Sequence, residues 1–178
     1  MNKVKNISEI VNRAKKNDVL AIRFLYEAYA KEMLTLSFRI TQNLEEAEDI
    51  IQEAFLTSFQ RLKQLKKPEH YYGWLKKIVI NNSLKANQKK RTTASVDSLA
   101  SLSEEKDQAW YKDISFEQIK RAINQLPDGC REVFTLYLLE DYKHREIAEI
   151  LNISVSTSKS QYQYALKLLK RELKKHLV

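Results

Sequence analysis

An all-α protein built as two small helical domains joined by a flexible linker, the C-terminal one containing a helix-turn-helix, is what this sequence predicts. Three observations carry that expectation. Only two glycines and two prolines occur in 178 residues, and such scarcity of chain breakers beside abundant Leu, Ile, Lys, Glu and Ala favours helices. Apolar residues recur at spacings of three and four through most of the chain, the period of a half-buried helix. That period lapses over residues 92–113, where Ser, Thr and acidic residues take over, the composition of a tether between domains.

Taken in order, Ile7, Ile10, Val11 and Ala14 make a short first helix with Ser8 as its cap, and Asn17 and Asp18 punctuate it. A second helix runs from about Val19 to Thr41 on a stripe of Ile22, Leu25, Tyr29, Met33, Leu36 and Ile40, with Tyr26 and Tyr29 read as core. Asn43 opens a third, with Glu46 three residues on in the capping-box pattern. Its buried stripe is Leu44, Ala47, Ile51, Ala54, Phe55, Ser58 and Leu62, and Lys66, Lys67 and Pro68 end it. Its outer face carries Glu45, Glu46, Glu48, Asp49, Gln52 and Glu53 on a chain of formal charge +8. Such a face is turned away from nucleic acid, and is either solvated surface or a docking surface for a basic partner.

Residues 70–91 read HYYGWLKKIVINNSLKANQKKR. Tyr71, Tyr72 and Trp74 lie beside Lys76 and Lys77, with Lys85, Lys89, Lys90 and Arg91 further along the same helix. Rings interleaved with cations suit single-stranded or melted nucleic acid, since rings stack on unpaired bases while cations hold phosphates. Trp74, Ile78 and Leu84 read as core, and Tyr71 and Tyr72 as the freer rings. After the acidic stretch of residues 92–113, Ser115 begins the second domain, with Gln118 completing a capping box. Phe116, Ile119, Ile123 and Leu126 form a stripe, Pro127-Asp128-Gly129 a turn, and residues 133–138 a short, mostly buried helix.

Residues 144–164 read HREIAEILNISVSTSKSQYQY. Ile147, Ala148 and Leu151 face one way, Asn152 suits a left-handed turn residue, and Ser154 suits an N-cap. A second helix from about Val155 carries Thr157, Lys159, Ser160, Gln161 and Tyr162. Two short helices around a tight turn, the second rich in side chains that reach phosphates and base edges, make a helix-turn-helix, the alternative being an ordinary helical hairpin. The last helix continues through Ala165, Leu166, Leu168, Leu169 and Leu173, with Lys167, Lys170, Arg171, Lys174 and Lys175 placed to lie along a phosphate backbone.

The net positive charge favours an anionic partner. A single cysteine, Cys130, excludes an internal disulfide and points to a reducing compartment. No apolar run approaches the roughly 18 residues of a membrane span, and residues 1–18 lack the apolar centre of a signal peptide. A cytoplasmic protein without direct membrane insertion is expected. His70, His144 and His176 are scattered and no glycine-rich phosphate loop is present. No catalytic residue, metal site, cofactor or small-molecule substrate is therefore expected.

Three stretches, in order, resemble the two-domain sigma factors of bacterial RNA polymerase of the extracytoplasmic-function type. RITQNLEEAEDIIQEAFLTSF at residues 39–59 is similar to the family's core-binding segment, YYGWLKKIVINNSLKANQKKR to its −10 segment, and LPDGCREVFTLYLLEDYKHREIAEILNISVSTSKS to its −35 domain. The resemblance implies a transcription initiation factor with a region 2 domain over residues 1–91, a linker over 92–113 and a region 4 domain over 114–178. It implies core-polymerase contacts at Asp49, Gln52, Glu53 and Phe55, on the clamp helices of the largest subunit, with the flap of the second subunit as a further contact. It places Asn81 at the family's Asn near the flipped-base pocket of the −10 element, and Thr157, Lys159 and Ser160 on its recognition-helix pattern. With the ring, amide and cation chemistry read above, −10 contacts are expected at Tyr71, Tyr72, Lys76, Lys77, Asn81 and Lys85, and −35 contacts at Ser156, Thr157, Lys159, Ser160, Gln161 and Tyr162. Promoter DNA, core polymerase and an anti-sigma factor are the implied partners. The chain departs from the family at Lys85, often Asp, and at Gln88, often basic. Where the family's recognition helix carries Gly-Thr-Val-Lys-Ser-Arg, Ser156 replaces the Gly, Ser158 the Val and Gln161 the Arg. The competing function is a conventional helix-turn-helix regulator with an α-helical sensor or dimerisation domain, a class that has no need of the aromatic and basic segment at residues 71–91.

Overall fold

Asp18 shows how the chain sets its own helix boundaries. The structure, a computed structural model, describes residues 3–91 and 115–175, so the expected linker at residues 92–113 lies outside the described residues. Asn17 turns with φ 63°, and the Asp18 carboxylate then accepts from the amides of Leu20 at 3.0 Å and Ala21 at 3.2 Å while pairing with Arg13 at 2.8 Å. That ends α1 (Lys3–Ala14) and starts α2 (Val19–Thr41). The Arg13 partnership, then the amide bonds, hold the Asp18 carboxyl below its ordinary range. Gln42, at φ 56°, and Asn43 repeat the device: Asn43 Oδ1 accepts from the Glu46 amide at 3.2 Å and opens α3 (Leu44–Gln60). Helix α1 begins at Lys3 rather than at the expected Ser8 cap, so Ser8 lies inside the helix. Helix α3 stops at Gln60, and short 3-10 turns at Leu62–Gln64 and Pro68–His70 lead to α4 (Tyr71–Arg91).

The chain falls into two units, Met1–Lys90 and Arg91–Val178, with no strand among the described residues. In the first unit α2 packs on α1 and α3 around Val11, Leu25, Met33, Leu36, Ile40, Ala54 and Leu62. Leu44, in the first turn of α3, is exposed, and Ile50 joins the buried stripe in its place. Helix α4 contributes Leu75, Val79, Ile80 and Leu84 to this core. It is also pinned by buried polar contacts. The Tyr71 hydroxyl lies 3.1 Å from Ser58 Oγ, Ser83 Oγ lies 3.0 Å from Ser37 Oγ, and Asn87 Nδ2 donates to the Ile40 carbonyl at 2.9 Å. Ser58 spends its proton on the Phe55 carbonyl at 2.8 Å, so Tyr71 is the donor to Ser58.

In the second unit α5 (Phe116–Asn124) opens with the expected capping box, Ser115 and Gln118 bonding reciprocally. Only its C-terminal half is covered. Ala122 and Leu126 join Cys130, Phe134, Ala165, Leu169 and Leu173 in the core, whereas Phe116, expected in the stripe, is 77% exposed and Ile119 is also exposed. Pro127 is the N-cap of α6 (Asp128–Phe134), so Asp128 and Gly129 form the first helical turn instead of a separate turn. Arg131, almost fully buried, is held by Asp128 and donates to the Leu126 carbonyl at 2.7 Å. A π-turn at Thr135–Leu139 and left-handed Asp141 then lead to α7 (His144–Leu151) and α8 (Val155–Lys174).

Replacing Tyr71 with Phe removes one hydroxyl whose partner keeps a second bond, and should cost about 1 kcal/mol. Replacing it with Ala empties a large buried site and should cost about 3–5 kcal/mol. Urea unfolding of the two variants checks the difference; equal losses would mean the ring contributes nothing beyond its hydroxyl.

Candidate functional site

The pins on one side of α4 determine what its other side shows. With Tyr71, Leu75, Val79, Ser83 and Asn87 buried at successive fourth positions, the opposite row of Gly73, Lys77, Asn81, Lys85 and Lys89 is exposed along the helix, since residues four apart stack on one face. Asn81 sits between two lysines, offering a donor and an acceptor with cations on either side. Half-buried Trp74, Ile78 and Asn82 border the row. Gly73 opens it with nothing within 4 Å of where a Cβ would lie, so a strand can approach the backbone there.

Not every sequence-predicted residue of this segment is on that row. Tyr71 has 0% of its surface exposed, with its ring tilted against Tyr29 and Trp74, and burial holds its phenol well above the ordinary value. It is a core residue and cannot offer a stacking face. Tyr72 is half-buried: its hydroxyl donates to Glu32 Oε1 at 2.6 Å, its ring tilts against Tyr29 at 5.6 Å, and Lys76 Nζ lies 5.9 Å above the ring. Tyr72 and Lys76 thus form a separate cluster with α2, beside the row rather than in it. Lys89 belongs to the row although the set drawn from sequence omits it.

On α3, Asp49, Gln52 and Glu53 are exposed and lie on one row at spacings of three and four. Phe55 is displaced from this set. It is 2% exposed, packed on Tyr26 at 4.8 Å and Phe59 at 5.8 Å. Its neighbour Leu56, 62% exposed, continues the acidic row one turn beyond Glu53. Sequence reasoning missed it, although a leucine seven residues after Asp49 on an otherwise polar row is a readable signal.

The turn between α7 and α8 is built as its sequence implied. Asn152 takes φ 52°, the Ile153 amide returns to the Ala148 carbonyl at 3.0 Å, and Ser154 Oγ accepts from the Thr157 amide at 2.9 Å. Helix α8 buries Ser158, Ala165, Leu169 and Leu173, which turns Ser156, Ser160 and Gln163 outward in one row with exposed Lys159 on its flank. Thr157 is half-buried on the other flank, its hydroxyl 2.8 Å from Ser154 Oγ. Gln161 and Tyr162 are turned away. The Gln161 amide rests over the first turn of α6, 3.0 Å from where a Cβ on Gly129 would lie. The Tyr162 ring packs on Phe134 and Tyr137, and burial raises its phenol's pKa. Gln163, missing from the set drawn from sequence, stands in the outward row. Counting back from buried Ala165 by three and four places Tyr162 and Gln161 inward, and that count is the signal that finds Gln163.

No cluster of His, Cys, Asp or Glu able to hold a metal occurs among the described residues, and none of their helices is long and apolar enough to cross a membrane.

Residues 25–93 match the family description "Sigma-70 region 2", and residues 116–169 match "Sigma-70, region 4". The chain is 27% identical over 183 residues to the ECF RNA polymerase sigma factor SigW of Bacillus subtilis (strain 168), spanning 94% of this chain and 97% of that protein. It is 28% identical over 166 residues to the ECF RNA polymerase sigma-E factor of Escherichia coli (strain K12), spanning 85% and 86%. The fold is similar to that of the sigma factor RpoE in its complex with the anti-sigma factor NepR from Bartonella quintana, with a TM-score of 0.57 and 19% identity over 85% of this chain and 96% of that one. It is also similar to CnrH in its complex with the cytosolic domain of CnrY, with a TM-score of 0.58 and 16% identity over 94% and 97%. Both sigma regions are thus present in their proper order on helical units, in a chain whose relatives match it nearly end to end; it belongs to the sigma-70 family, extracytoplasmic-function type, and is a promoter-specific transcription initiation factor.

Proposed function

We propose that this chain docks on core RNA polymerase through Asp49, Gln52 and Glu53 with Leu56 as the apolar anchor. In the same reading Lys77, Asn81, Lys85 and Lys89 hold the melted −10 strand, and Ser156, Thr157, Lys159, Ser160 and Gln163 read the −35 element. The observation that carries it is the exposed row of α4, where an amide stands between cations on a helix whose other side is locked into the core. Melting a promoter costs stacking and pairing energy, and a captured base with held phosphates offsets it. A conventional regulator has no use for such a row. The acidic row serves a basic protein surface, the clamp helices, while the flap of the second subunit is the further polymerase contact, made by the second unit. Residues 1–91 act as the region 2 domain, 92–113 as the linker and 114–178 as the region 4 domain. Phosphoryl transfer belongs to the polymerase, so the chain is no enzyme and uses no cofactor. It works in the cytoplasm, where an anti-sigma factor, the kind of partner that RpoE has in its solved complex, covers its docking faces.

Run-off transcription with core polymerase on genomic fragments tests this reading. Discrete transcripts that need both chain and core are expected, and the Asp49→Lys/Glu53→Lys variant should lose them together with co-purification of core, its helicity unchanged. Tight duplex binding by the chain alone, with no transcripts, would favour the regulator instead.

The two asparagines of α4 separate base capture from bracing. Asn81→Ala should leave the unfolding midpoint in place and reduce open-complex formation roughly 5- to 150-fold, the effect of losing a base contact of about 1–3 kcal/mol. Asn87→Ala removes the donor to the buried Ile40 carbonyl and should cost about 1–3 kcal/mol of stability. Permanganate reactivity of the −10 thymines beside thermal unfolding reads both; proportionate losses in the Asn81 variant would sink base capture.

Selection from a randomised −35 pool compares the two glutamines of α8. Gln163→Ala should relax preference at one base position, by about 1–3 kcal/mol, while Gln161→Ala leaves the selected sequence unchanged. The opposite pattern would mean that Gln161 leaves Gly129 and turns to the groove on binding.

A further inference from the structure

Where α7 meets the start of α8, the contact surface holds a polar pair inside a ring of aromatics. Ser158, in the first turn of α8, has 0% of its surface exposed. A hydroxyl so placed must be paired, and its partner across the helix contact is His144 Nδ1 at 2.9 Å. The imidazole lies flat on the Tyr137 ring, with centroids 4.2 Å apart and planes 13° apart, and meets the Tyr162 ring edge-on at 5.8 Å. Tyr137 and Tyr162 touch each other at 4.6 Å. One side chain from the first residue of α7 thus grips both the π-turn and the inner side of α8.

We propose that His144 is a positioning residue for promoter reading: its bond to Ser158 and its stack on Tyr137 set the rotation of α8 about its own axis. This rests on the reading of α8 as the −35 helix. Thr157 and Lys159 are the immediate neighbours of Ser158, and Ser156 and Ser160 lie one residue further on each side. A helix with side chains has a radius of roughly 5–6 Å, so a turn of about 20° moves a side-chain tip by roughly 2 Å. That is enough to break a hydrogen bond to a base edge. A purely apolar contact would leave the rotation looser, because only a directional bond penalises a small turn.

The same geometry makes the contact respond to acid. The Lys159 ammonium acts on the imidazole from α8, Tyr137 and Tyr162 are the titratable groups packed against it, and Lys143, Arg145 and Glu146 share its own end of α7. Burial first, and the Lys159 ammonium second, hold the imidazole below its ordinary value. The folded state therefore favours the neutral ring. The contribution is complete above about pH 6.5, the unfolded value, and is lost as the pH falls from there through the lower folded value.

The test uses the full chain with core polymerase on two templates that share a −10 element, one with its −35 element intact and one with it scrambled. The ratio of their open-complex yields measures −35 dependence and cancels effects on core. Ser158→Ala and His144→Phe each leave one polar group without its partner, and each should lower the ratio roughly tenfold. The double variant removes both groups and should return to within about threefold of the unmodified chain. Yield on the scrambled template, which depends on the first unit, should be unchanged throughout, and thermal unfolding should show the second unit folded. Single-variant losses that simply add in the double variant would overturn the positioning role. An unmodified chain with a ratio near one would overturn the −35 reading itself, and this inference with it.

Discussion

The rotation of α4 is set by the rule that a buried hydroxyl or amide must find a partner. A helix resting only on Leu75, Val79, Ile80 and Leu84 could slide or turn a little with small loss, since apolar contacts are not directional. The Tyr71–Ser58, Ser83–Ser37 and Asn87–Ile40 contacts remove that freedom. Each is a buried, directional hydrogen bond that a turn of the helix would break, and they lie at the start, middle and end of the helix. The exposed row is the geometric complement of these pins, so the face proposed for the melted strand is set by residues on the far side of the helix.

The second unit repeats the principle with different chemistry. Helix α8 is seated by Ala165, Leu169 and Leu173 on α5 and α6, and its first turn is registered by a polar pair and stacked rings. In both units the side chains proposed to meet DNA ride on a helix whose rotation is constrained from its buried side. Small, flexible, solvated groups can then adapt to a groove or a strand while the backbone that carries them stays put.

Much of this was legible in the sequence because it depends on neighbours along the chain. The boundaries of α2 and the start of α8, the break at Asn17 and Asp18, the caps at Asn43, Ser115 and Ser154, and the left-handed Asn152 all follow from local chemistry and were read without knowledge of packing. The acidic row on α3 was legible for the same reason. The misplacements have one cause: the inward direction of a helix is decided by distant partners. Tyr71 looked available because its Ser58 partner lies on another helix. Phe55 and Leu56 are adjacent and apolar, and only the fold decides which is core. Gln161 and Gln163 differ by two residues, hence by slightly more than a half-turn, and the buried stripe of α8 gives one to α6 and the other to solvent. Phe116 failed in the opposite sense, because an apolar stripe says which face wants burial and not whether a neighbour is long enough to cover it.

The first unit carries rows of opposite sign, acidic on α3 and basic on α4, so that it is an electric dipole as well as a bundle. In physiological salt the field of such rows decays over about 8 Å, less than the width of a helix. Each row therefore torques an approaching surface only in the last nanometre of encounter. A polyanion and a basic protein surface meeting the chain from solution feel mainly its net charge until then, which is positive. The order of assembly in a crowded solution is accordingly a matter of ionic strength: dilute salt lengthens the reach of the net charge toward nucleic acid, and concentrated salt leaves shape alone to sort one partner from the other.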